Sequence, residues 1–246
     1  MKQTIIYADV HLKTSEKGRH DYEDFLLFLR SIVPAETDRL ICLGDLFDFW
    51  FEYRHVAFSG YFDVLRAFAD LSDAGVALHL ICGNHDFWAG AFLEKIGFQL
   101  HHEPVRVPFG DVEALLLHGD GLNPRDYGYR LFKRFARNPI AVRFFRHVHP
   151  DRAMAIAHAM SRGSRQLLKA DVPAEGREAR AIREHAHKLL ARGDAAIVIS
   201  GHAHAPLIEA VATPKGDGLY INPGDWPLHR SYITAIGREF TMHTFC

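Results

Sequence analysis

Five polar clusters each close an apolar run: Asp9-Val10-His11, Gly44-Asp45-Leu46-Phe47-Asp48, Gly83-Asn84-His85-Asp86, His118-Gly119-Asp120 and Gly201-His202-Ala203-His204. The runs before them, Gln3 to Ala8, Arg39 to Leu43, Val76 to Cys82, Glu113 to Leu117 and Ala195 to Ser200, have the length and bounding turn residues of β-strands, and Gly218 to Ile221 is a sixth. Amphipathic helical patterns fall between several of them, over Asp21 to Ile32 and over Gly60 to Ala74. Strand alternating with helix predicts an α/β architecture. A chain of 246 residues with 48% apolar content can bury one large core, so the expectation is one domain over residues 1–246.

The alternation breaks over residues 121–193. No strand pattern is found there, and helices over Tyr127 to Ala136, Ile140 to Val148, Asp151 to Leu168 and Glu175 to Arg192 are predicted to follow one another as an inserted helical cap. Charge segregates with it: residues 121 to 192 hold 16 Lys or Arg against 6 Asp or Glu, whereas the whole chain has a net charge of -1. An acidic scaffold that gathers cations, with a basic segment facing an anionic partner, accounts for that division.

Several function classes lose support at this stage. No apolar stretch approaches the roughly 18 residues of a membrane span, and Met1-Lys2-Gln3-Thr4 runs directly into a strand, so a cytoplasmic protein is expected. Cys42 and Cys82 lie inside apolar strands and read as small buried hydrophobes, outside any disulfide or metal site. There is no Ser-His-Asp constellation, phosphate-binding loop or Gly-x-Ser-x-Gly elbow, which removes the basis for covalent acyl or nucleotide-driven motor chemistry.

The clusters themselves offer carboxylate, amide and imidazole donors. Asp9 and His11 are two apart, as are His202 and His204, so extended backbone would project each pair to one side. Gly44 and Gly83 directly precede Asp45 and Asn84, where a residue without Cβ permits a sharp turn. Mixed oxygen and imidazole donors suit Mn²⁺, Fe²⁺ or Zn²⁺, with Mn²⁺ the first choice. Two such ions about 3.5–4 Å apart can activate a shared water and neutralise phosphoryl oxygens.

In their order and content the clusters resemble the calcineurin-like metallophosphoesterase superfamily, with its D-x-H, G-D-x-x-D, G-N-H-D/E, single H and G-H-x-H words. The resemblance implies a sandwich of two mixed β-sheets flanked by helices. It also implies that Asp9, His11, Asp45 and His204 hold one metal ion, and that Asp45, Asn84, His118 and His202 hold the second, with Asp45 bridging. His85, next to Asn84, is the candidate to stabilise or protonate the leaving oxygen, and Asp86 is the candidate to orient it. Asp48 reads as a helix cap or as a buttress to a ligand histidine. The other twelve histidines, His101, His102, His185 and His187 among them, read as surface residues.

The flanking words, Ala8 to Leu12, Gly44 to Trp50, Gly83 to Phe87, Leu116 to Asp120 and Gly201 to Pro206, together with the helical insertion, are similar to the UDP-2,3-diacylglucosamine diphosphatase family of lipid A synthesis. That likeness implies attack of water on the pyrophosphate to give UMP and 2,3-diacylglucosamine 1-phosphate, at the cytoplasmic face of the inner membrane and with no nucleic-acid partner. One position departs: the best-known branch of that family has Arg after the metal-binding Asn, where this chain has His85. Candidate substrate contacts are Asn84, His85, Asp120, Arg125, Ser161, Arg162, Ser164, Arg165 and His202. In the insertion Arg125, Arg130, Lys133, Arg134, Arg137, Arg143 and Arg146 alternate with Tyr127, Tyr129, Phe132, Phe135, Phe144 and Phe145, a mixture suited to a lipid-holding lid. The rival readings are a phosphodiesterase of cyclic nucleotides, a nucleic-acid or phosphoprotein phosphoesterase, and an inactive binding module. All seven ligand positions are filled, which argues against the last.

Overall fold

The computed structural model describes residues 2–14, 18–156 and 176–246. Among them, eleven strands form two sheets. The first, of order β11-β10-β1-β2-β3-β4, contains β1 (Gln3–Tyr7), β2 (Thr37–Cys42), β3 (Ala77–Ile81), β4 (Phe98–His101), β10 (Ser231–Ile236) and β11 (Glu239–Thr244). The second, of order β5-β6-β7-β9-β8, contains β5 (Val105–Phe109), β6 (Val112–Leu117), β7 (Ile197–Ser200), β8 (Leu207–Thr213) and β9 (Gly216–Asn222). Both sheets are mixed, with parallel centres β1-β2-β3-β4 and β6-β7-β9 and antiparallel neighbours at their margins.

Strand alternation sorts the apolar side chains into layers. Ile6, Ile41 and Ile81 meet Leu116, Ile199 and Ile221 between the sheets. On the other face of the first sheet, Ile5, Tyr7, Leu40 and Leu80 pack against Phe25, Phe28 and Leu29 of α1 (Arg19–Ser31) and Leu65, Phe68 and Leu71 of α2 (Phe62–Asp73). Burial on both faces is why the central strands read as continuous apolar runs. The strands not anticipated, β4, β5, β8, β10 and β11, lie at or near the sheet margins. There one face is polar, as in the alternating exposure of β8, or Pro interrupts, as Pro108 does in β5.

The insertion contains α4 (Tyr127–Ala136), α5 (Pro139–Phe145), helical residues 150–156 and α6 (Arg177–Arg192), so the expected run of helices is present over its described part. The remainder of the helix expected over Asp151 to Leu168 lies outside the described residues. α6 serves the sandwich itself: Ala186 and Leu190 bury against Val198 and Tyr220 on the outer face of the second sheet. Phe145, Val142 and Val148 pack on Phe49, Phe51 and Trp88, tying the insertion to the loop after β2. Tyr127, Leu131, Phe135 and Phe144 are instead exposed. No helix among the described residues is long and apolar enough to cross a membrane. Cys42 and Cys82 are buried free thiols, as expected.

Candidate metal centre

Six parallel-running strands, three in each sheet, deliver the site. β1 is followed by Asp9 and His11, β2 by Asp45, β3 by Asn84 and His85, β6 by His118, β7 by His202 and His204, and β9 by Asp225. Parallel neighbours finish at one edge, so their exit loops converge, as they do at ligand sites of other α/β sheets. Backbone bonds stitch these loops together: Asp9 N–H donates to Gly44 O at 3.0 Å, His11 N–H to Asp45 O at 2.9 Å, and Trp226 N–H to Asp9 O at 3.2 Å.

The geometry that aims the side chains is not strand pleat. Asp9, His11, Asp45, His202 and His204 lie past their strand ends with φ between 48° and 61°. The expectation that each Asp-x-His or His-x-His pair projects from extended backbone is therefore corrected. Left-handed backbone disfavours residues with a Cβ, at about 1–3 kcal/mol each, and persists where surrounding bonds over-determine it. The glycine expectation holds for a related reason. A Cβ on Gly44, itself at φ 97°, would lie 2.5 Å from His118 Nδ1, and one on Gly83 would lie 2.2 Å from Asp45 Oδ1.

One donor atom each from Asp9, Asp45, His118 and His202 fall within 4.8 Å of one another, and so do those of Asp9, His11 and His204. Asn84 Oδ1 is 3.3 Å from His118 Nε2. Asp45 Oδ2 stands between the groups, 3.5 Å from His118 Nε2 and 3.9 Å from His11 Nε2. His118 donates Nδ1–H to Leu43 O at 2.6 Å, which turns Nε2 towards the centre. Asp9 Oδ1 is buried and faces His204 Nε2 at 3.4 Å. The donor set is hard oxygen and imidazole, without thiolate, and fits divalent cations.

Charge at the centre is strongly coupled. Burial pushes the Asp45 carboxyl up, but His118, His85 and His11 outweigh it and hold that carboxyl well below the usual range. Burial lowers His118 and His204, yet Asp45 and Asp9 lift His118 to about 10, and Asp9 and Asp225 lift His204 to about 10. His202 is pushed down to about 4 by burial and by His118. The carboxylates thus demand positive charge, which protons or divalent cations can supply in exchange for one another.

Other expected residues fall differently. His85 is held by Asp48, whose backbone carbonyl accepts Nδ1–H at 2.6 Å, and its Nε2 faces Asp45 Oδ2 at 3.9 Å. Asp86, expected to orient His85, instead accepts Leu46 N–H at 2.8 Å and Gly83 N–H at 2.7 Å, so it braces the two glycine loops. Burial and Asp45 raise its carboxyl to about 6. Among the described residues no helix begins at Asp48, which is grouped with His11 and His85. Asp120, expected to meet substrate, accepts from Tyr129 Oη at 2.8 Å and Lys133 Nζ at 2.8 Å and sits 3.3 Å from Arg137 Nη2, fastening α4 to the His118 loop. Arg125 is exposed. Ser161, Arg162, Ser164 and Arg165 lie outside the described residues. Of the histidines read as surface, His79 and His101 are half-buried and stacked, with Nδ1 and Nε2 3.2 Å apart.

Two carboxylates escaped the sequence reading. Glu178 Oε1 lies 3.8 Å from His202 Nε2 and its Oε2 accepts from Asn123 Nδ2 at 3.0 Å. Asp225 lies beside His204. Its signal was present: Asn222-Pro223-Gly224-Asp225 is a sixth polar word at a strand end, with glycine in it as in four of the other five.

Comparison with known proteins gives the family of the chain. A family model described as calcineurin-like phosphoesterase matches residues 3–206. A UDP-2,3-diacylglucosamine hydrolase of Azotobacter vinelandii is 29% identical over 249 residues, covering 98% of each chain. A protein of the same name from Pseudomonas putida is 28% identical over 225 residues, covering 90% of each. Among solved structures, Vacuolar Protein Sorting 29 from Cryptosporidium parvum aligns over 98% of this chain and 96% of its own, with a TM-score of 0.44 and 13% identity. On the family match and the donor set that the strand ends bring together, the chain belongs to the calcineurin-like phosphoesterase family and is a metal-dependent hydrolase.

Proposed function

We propose that the chain hydrolyses the pyrophosphate of UDP-2,3-diacylglucosamine, releasing UMP and 2,3-diacylglucosamine 1-phosphate, with Mn²⁺ as the working ion. The observation that carries this reading is a cavity of about 1240 Å³ between the loops after β2 and β3 and the inserted helix α5, lined in part by Trp50, Phe51, Phe58, Trp88, Val142 and Arg143. One residue of its wall is tied to the His85 loop, because Trp50 N–H donates to His85 O at 2.9 Å. An apolar wall with nearby cations suits an acylated phosphate ester better than a small cyclic nucleotide. The activity for which the two relatives are named supports the same substrate.

Asp9, His11, Asp45 and His204 would hold one ion, and Asp45, Asn84, His118 and His202 the other. When bound, the pair supplies Lewis-acid charge for the phosphoryl oxygens and activates water. His85, fixed through Nδ1, presents Nε2 for the leaving oxygen. Exposed Leu131, Phe135 and Phe144 beside Arg130, Arg134 and Arg143 support peripheral contact with the anionic cytoplasmic surface of the inner membrane.

The test is mass spectrometry of products from purified protein, Mn²⁺ and UDP-2,3-diacylglucosamine, with UDP-GlcNAc and cyclic AMP as controls. Release of UMP from the acylated substrate alone is expected. Turnover of cyclic AMP with none of the acylated substrate would overturn the reading.

A further inference from the structure

We propose that Asp225 is a positioning residue for one of the two cation sites, holding His204 so that its Nε2 faces the Asp9 and His11 side. The two ring nitrogens of His204 have different neighbours. Nε2 lies 3.4 Å from Asp9 Oδ1 and 3.3 Å from His11 Nε2, whereas Nδ1 lies 3.3 Å from Asp225 Oδ2. A carboxylate on Nδ1–H fixes the tautomer and orientation of a ligand imidazole and raises its basicity. The other oxygen of Asp225 accepts Nδ1–H of His229 at 2.5 Å, so the carboxylate is clamped from both ends.

The local partner His229 takes one oxygen of Asp225 and leaves the other for His204. Asp225 precedes the single helical turn Trp226–His229, yet its side chain makes no capping bond to it. It is 1% exposed, at a depth where a carboxylate needs a specific partner. Its loop is also wired to the ligand loops: Asn222 Nδ2 donates to Gly201 O at 3.1 Å, and Trp226 N–H to Asp9 O at 3.2 Å. Asp225 is thus registered against both segments that carry the Asp9, His11 and His204 group.

The experiment is titration of metal-free protein with Mn²⁺ by calorimetry, with electron paramagnetic resonance distinguishing a coupled ion pair from a single ion and circular dichroism confirming the fold. The inference rests on the two-metal reading, which the wild-type stoichiometry tests separately: fewer than two bound ions would defeat that reading first. Asp225→Asn should weaken one site by about 10–100-fold and leave the other unchanged, converting the coupled signal to that of a single ion. Asp225→Glu, which retains the charge, should recover part of the loss and also serves if the Asn variant does not fold. In a His204→Ala background, Asp225→Asn should add nothing. Wild-type affinity at both sites in a folded Asp225→Asn protein, or equal weakening of both, would overturn the proposal.

Discussion

Five residues at the metal centre share a left-handed backbone, and this concentration marks where local strain is tolerated for geometry. Asp45 combines that backbone with contact to imidazoles on both sides of the centre. Asp45→Ala should therefore abolish hydrolysis and reduce bound Mn²⁺ below two per chain by elemental analysis. His85→Ala should retain both ions and lower kcat by about 10²–10⁴-fold if, as proposed, its part is with the leaving oxygen. Away from the site, burial pushes His79 down to about 4 from 6.5, with His101 adding to the shift. Folded His79 is neutral where the unfolded residue would bind a proton, so its contribution is fully present above pH 6.5 and is lost as pH falls towards 4. The urea midpoint of His79→Gln should fall less steeply than that of wild type across this window.

At the scale of elements, two carboxylates hold the surroundings of the centre in place. Glu52 accepts backbone N–H groups of Gly90 at 2.7 Å, Phe92 at 3.1 Å and Leu93 at 3.2 Å, closing the amino end of α3 (Ala91–Ile96) against the loop that lines the cavity. Glu52→Ala should cost about 1–2 kcal/mol in chemical denaturation. Asp120 gathers Tyr129, Lys133 and Arg137 of and just after α4, while Arg137 also lies 3.9 Å over the Phe87 ring and Trp88 Nε1–H donates to Ala136 O at 3.1 Å. Asp120→Ala should accelerate amide hydrogen exchange across Tyr127–Ala136, equivalent to about 1–3 kcal/mol of local stability after allowing for partial exposure of both cations. The helix pattern identified these inserted helices. Their docking through Asp120 was not legible, because its partners depend on how α4 folds back over the loop.

Across the whole molecule, the cations and the scaffold are thermodynamically linked. Ions that bind only the folded chain stabilise it by about 2.7 kcal/mol at one hundred times their dissociation constant. Chelation should then lower the thermal midpoint by roughly 5–10 °C for a chain of this size, and restored Mn²⁺ should reverse the shift in calorimetry. The sequence by itself determined the buried central strands and most of the helices, and it named the seven candidate donor residues. Their signals are local: apolar runs covered on both faces, glycine where a Cβ would strike a neighbouring loop, and Asp, Asn or His just beyond. Tertiary structure decided the marginal strands, the bracing role of Asp86, the tie of Asp120 to α4 and the pairing of Asp225 with His204. A carboxylate at a turn has the same local sequence whether it caps a helix, braces a loop or orients a ligand, and only convergence of the two sheets' strand ends selects its partner.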